Sequence, residues 1–138
     1  MNENTVIRSF LLTEANITAL VGNNIFSPRI PEGKGLPAIS FFSRGGPGGN
    51  PNIKPDTDNS YQFECWADDS KEARDIYIEL RDSLQGIENE IVTISGHNYR
   101  LIGAQLEVPG IDEVDIDIPE YFKTRAYFKI QVRLTEVT

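Results

Sequence analysis

The spacing of hydrophobic positions changes along the chain, from helical to alternating, and each change marks an element. Val6, Ile7, Phe10 and Leu11 recur at helical spacing. The pattern breaks at Thr13-Glu14 and resumes with Ile17, Leu20 and Val21, which predicts a helix, a turn and a short helix ended by Gly22. Ile25-Phe26 sits in the loop 23–35 as a short β-bridge or an anchor. Leu36–Ser43 reads as a strand entered at Pro37. Tyr61, Phe63 and Cys65 alternate with Gln62, Glu64 and Trp66, the mark of a half-buried strand. Asp69 then offers an N-cap, with Glu72 at capping-box distance, before the stripe Ala73, Ile76, Tyr77, Leu80, Leu84 and a stop at Gly86.

Ile91–Ile94 and Tyr99–Val108 flank Ser95-Gly96-His97-Asn98, a hairpin signal. Arg125–Leu134 alternates cleanly, with Ala126, Phe128, Ile130 and Val132 on one side. Two stretches lack apolar periodicity: a glycine- and proline-rich loop at about 44–59 and an acidic loop at about 109–121. The predicted class is α+β: one domain over 1–138, a mostly antiparallel sheet of about four to five strands, and two main helices on one face.

Composition narrows the function classes. Apolar residues make up 39% of the 138 and charged residues 25%, ordinary for a soluble globular chain. No apolar run is long enough for a membrane span, and the N-terminus lacks the features of a secretory signal. A single cysteine, Cys65, forms no internal disulfide. The net charge of −8 repels phosphate backbones and argues against nucleic-acid affinity.

The candidate chemistry is thin. Cys65 and His97 are the available nucleophile–base pair, but Cys65 falls mid-strand among aromatics, where a thiol is inert packing. One His and one Cys cannot close a zinc site. Asp112, Glu113, Asp115 and Asp117 lack the glycine and the final glutamate of a calcium loop, so they read as a solvated acidic segment. Gly45-Gly46-Pro47-Gly48-Gly49 is followed by no Gly-Lys-Ser/Thr, so it is no phosphate loop. No enzyme activity, cofactor or metal is expected. Trp66 reads as core packing under a helix, with an interface anchor as the alternative.

The chain resembles the tail-completion (tail terminator, head-to-tail joining) proteins of long-tailed bacteriophages. The similarity runs from about Val6 to Leu134. It rests on Leu20-Val21-Gly22, Ile25-Phe26, Pro31, Leu36-Pro37-Ala38-Ile39, Phe63-Glu64-Cys65-Trp66-Ala67 leading into Ser70 and Glu72-Ala73, and the final alternating strand. The resemblance implies a structural virion protein, assembled in the host cytoplasm and located in the tail neck. It implies a hexameric ring that caps the head-proximal end of the tail tube, stops tube growth and docks to the head connector. DNA would pass through without specific binding. The glycine-rich loop would order against a neighbouring subunit, with Arg44, Gly45, Gly46, Asn50, Asn52, Ile53 and Lys54 as candidate contacts. On charge alone, Asp112, Glu113, Asp115 and Asp117 are candidates to face the channel. Two readings stay open beside it: a head-closure or connector adaptor protein of the same neck, and a small non-viral binding domain.

Overall fold

The computed structural model describes residues 2–45, 56–114 and 121–134. Helix α1 (Glu3–Leu12) starts where the Asn2 side chain accepts a hydrogen bond from the Thr5 N–H at 2.9 Å, filling one orphan donor of the first turn. Helix α2 (Ala15–Val21) ends at Gly22, whose φ of 59° suits a residue without Cβ. Helix α3 (Ser70–Gln85) is capped by Asp69, which accepts from the Lys71 N–H at 3.0 Å. Its buried stripe, Ala73, Ile76, Tyr77, Leu80 and Leu84, is the one the spacing predicts.

Strands β1 (Ile25–Phe26), β2 (Ala38–Gly45), β3 (Asp56–Ala67), β4 (Glu90–Ile94), β5 (His97–Val114) and β6 (Phe122–Arg133) form one sheet in the order β1-β2-β3-β6-β5-β4. β1 runs parallel to β2 and every other pair is antiparallel. Among the described residues the sheet is therefore mixed, with six strands rather than four to five, and it carries three helices. Ser95 and Gly96 turn β4 into β5 with φ of 52° and 82°, the positive pair that a tight hairpin needs.

Two predicted loops are shorter than expected. Residues 44–45 belong to β2 and 56–59 to β3, where Asp56 to Asn59 pair with Arg133 to Ile130. Residues 109–114 continue β5 rather than opening the acidic loop. For the extensions of β3 and β5, a long neighbour, β6, supplies a ladder that residues of low strand propensity can join.

All three helices share the core on one face of the sheet. Phe41 stacks on Phe63 with ring centroids 5.1 Å apart, and Phe63 meets Phe128 edge-on at 5.5 Å. These rings run across β2, β3 and β6 and seat α3. Val6, Ile7, Phe10 and Leu11 of α1 close the β1 and β4 ends, and Arg8 Nε donates to the Ile25 carbonyl at 2.6 Å.

Candidate functional site

Alternation along β3 and β6 sends Tyr61, Phe63, Cys65, Ala126, Phe128 and Ile130 into the core. The intervening side chains form an outer face opposite the helices. Its centre is a row of cations and rings on β6. Lys123 Nζ lies 3.2 Å from Glu64 and 3.6 Å from Glu113, Arg125 Nη2 lies 2.6 Å from Glu113, and Lys129 lies 3.3 Å from Asp58. The Arg44 guanidinium sits 4.4 Å from the centroid of Tyr127, and the Lys123 ammonium 4.9 Å from that of Trp66. These pairs are partly exposed, so each adds little stability. Together they fix the geometry of the face.

A cavity of about 490 Å³ opens on this face where the 28–36 segment folds over β2 and β3. Ile30, Leu36, Phe42 and Trp66 line it, with Arg29, Glu32 and Lys34 at its polar parts. Both ends of the covering segment are tied down. The Ser27 hydroxyl donates to the Phe41 carbonyl at 2.6 Å, and Asn24 Nδ2 donates to the Pro37 carbonyl at 3.3 Å. Trp66 Nε1 donates to Ser40 Oγ at 3.1 Å, which holds the indole against the cavity wall. Trp66 therefore does not pack under a helix. It has the opposite parity to Phe63 and Cys65, so it leaves the core and half-buries in the cavity. Sequence reasoning missed the cavity itself. Its signal was the pair Phe42 and Trp66, large apolar side chains at outward-facing positions, beside the proline-bounded run from Pro28 to Leu36.

The predicted site residues scatter. Arg44 and Gly45 end β2, and Gly46, Asn50, Asn52, Ile53 and Lys54 lie outside the described residues. Asp112 and Glu113 are consecutive on a strand, so they face opposite ways. Asp112 accepts from Thr124 Oγ1 at 2.9 Å and lies 3.4 Å from Arg74 of α3, whereas Glu113 joins the outer row. Asp115 and Asp117 lie outside the described residues. Among the described residues, no group of three or more His, Cys, Asp or Glu is placed to hold a metal ion.

Cys65 and His97 are not brought together. Cys65 is paired with Thr124 near the start of β6, whereas His97 lies beyond Arg100, which pairs with Arg133 at its end. That separation, with His97 three residues beyond Arg100, is roughly 40 Å along the ladder at about 3.3 Å per residue. Burial pushes the Cys65 thiol well above its ordinary range, with Glu64 adding to the shift, so it stays protonated. Glu14 sits with Glu90 in a second groove, between α1 and β4, and its carboxyl is raised by burial and then by the Glu90 charge.

No family model matches the sequence, and no curated protein matches it. A solved structure does share the fold. A chain from the virion of a native gene transfer agent particle superposes with a TM-score of 0.64 at 15% identity. The match covers 98% of this chain and 95% of that one. The likeness thus extends over nearly the whole length of both chains. Among the described residues, no helix is long and apolar enough to cross a membrane.

Proposed function

We propose that the protein is a structural component of a phage-like virion, and specifically a tail-completion protein. Copies assemble into a ring, hexameric in the resembled family, at the head-proximal end of the tail tube. The ring ends tube growth and presents a docking surface to the head connector. The observation that carries this reading is the end-to-end correspondence of fold with a chain of a gene transfer agent virion, with neither chain having much left over. The sequence resemblance to tail terminators points the same way, and it supplies the finer role. The chemistry is compatible: the outer face offers ion pairs, rings and an apolar cavity, which suit protein contacts. With −8 per copy, a ring carries little long-range attraction for the DNA that passes through it.

A head-closure or connector adaptor protein of the same neck would also form a ring. Electron microscopy of particles assembled without the protein separates the two. A tail terminator predicts abnormally long tails without heads. Filled heads that leak DNA beside tails of normal length would replace the terminator reading with head closure. Particles of normal form in both respects would remove the protein from the neck altogether.

A further inference from the structure

The four exposed large hydrophobic residues among those described, Ile91, Val108, Ile111 and Val114, all lie on β4 and β5, at one side of the sheet. β4 covers β5 only as far as Leu101, so among the described residues no strand pairs with the outer edge of the arm from 103 to 114. The arm is shaped by bulges. Val108 is opposite Tyr127 and Ile111 opposite Arg125, so three residues of β5 span two of β6. The extra residue sets Val108 and Ile111 on the same outer face, as successive exposed side chains at 36% and 40%. Glu107, exposed, precedes Val108 and accepts from Ser60 Oγ on the same outer face, whereas Asp112 turns to Arg74 and Thr124 on the helix side. Pro109 lacks an N–H and the bulge interrupts the ladder, so the arm is a poor template for adding a strand. It is suited to contact through its side chains.

At the other side of the sheet, over β2 and β3, lies the 490 Å³ cavity. Its apolar lining, Ile30, Leu36, Phe42 and Trp66, has room for an aliphatic pair. Its charged residues favour an acidic visitor. Arg29 and Lys34 stand against Glu32, and Glu64 already has Lys123 at 3.2 Å. The arm and the cavity are thus complementary in polarity and in sign of charge, and they belong to different parts of the same chain.

We infer that the arm of one copy seats in the cavity of the next, with Val108 and Ile111 as anchors and Glu107 beside Arg29 and Lys34. Because the two patches differ, the contact is head-to-tail. Each copy keeps one free arm and one free cavity until the assembly closes on itself. The inference rests on the ring reading above and names the contact that builds it.

The test uses two variants of the full chain, Val108→Asp with Ile111→Asp to spoil the arm, and Phe42→Asp to spoil the cavity. Circular dichroism and thermal midpoints check that each still folds, and Arg29→Glu with Lys34→Glu is a second cavity variant if Phe42→Asp does not. Light scattering and sedimentation report the assembly. The wild-type chain should form closed oligomers, and each variant alone should be a monomer. An equimolar mixture of the two should form a one-to-one complex and nothing larger, since only one sound arm and one sound cavity remain. Wild-type rings that survive both sets of substitutions would overturn the contact and leave the ring reading standing. A wild-type chain that stops at a twofold dimer would overturn the head-to-tail arrangement. A wild type that stays monomeric up to millimolar concentration would overturn the contact and remove the support for a self-assembling ring.

Discussion

At Gly110 the packing leaves no space for a side chain. A Cβ there would stand 2.8 Å from Thr124 Cγ2 and 2.9 Å from two carbons of the Tyr77 ring, both in fully buried residues. Arg74 Nη1 donates to the Gly110 carbonyl at 2.9 Å, so α3 grips the arm at this point. Gly110→Ala forces either the ring or the strand to move, a cost of about 1–3 kcal/mol for an overpacked site. Urea unfolding measures it, and an unchanged midpoint would show that the arm yields freely. Tyr61 makes a different prediction. Burial, with a smaller push from the Glu3 charge, raises its phenol from 10.0 to about 12. Between those values the unfolded chain has released a proton that the folded chain retains. Stability therefore falls as pH rises through this window and is unaffected below it. Cys65 adds a loss of the same sign, starting at lower pH. Tyr61→Phe should flatten the fall in melting temperature between pH 10 and 12; equal slopes in both proteins would mean that the phenol is solvated when folded.

At the scale of elements, β6 organises the sheet. It pairs with β3 along all twelve of its residues and with β5 on its other side. Ile130 is fully buried in the core that also holds Ile76, Tyr77 and Leu80, so Ile130→Ala should cost about 2–5 kcal/mol. A loss below about 1 kcal/mol in chemical denaturation would contradict that burial. This strand and α3 were legible in the sequence because alternation and helical spacing there are uninterrupted. The cap at Asp69 and the hairpin at Ser95-Gly96 were legible because their residue types carry the geometry. The start of β3 was not legible. Asp56-Thr57-Asp58-Asn59-Ser60 has neither alternation nor strong strand propensity, and it is a strand because β6 is long enough to hold it. The end of β5 was hidden for another reason. Pro109-Gly110 reads as a break, whereas the structure uses the pair as a bulge that continues the strand with its parity shifted. The cavity depends on a chain segment folding back across the sheet, which no local pattern specifies.

At the scale of the whole molecule, the acidic residues around the arm can serve only one of two environments well. A channel wall requires carboxylates that repel passing DNA, while a subunit contact requires carboxylates that meet a neighbour's cations. Glu107 is exposed and lies beside Val108 on the outer face, a setting typical of the rim of a protein contact. The two roles give different readouts for the same substitution. If Glu107 sits at the contact, Glu107→Lys places a cation against Arg29 and Lys34 and should weaken self-association about tenfold or more, the scale of 1.4 kcal/mol. Adding Arg29→Glu and Lys34→Glu to the same chain should restore it, because the swapped charges again oppose. If it lines the channel, rings should form at undiminished affinity, and DNA ejection from virions carrying the variant should slow, most at low salt where screening is weakest. Undiminished assembly together with slowed ejection would move this residue from the contact to the channel.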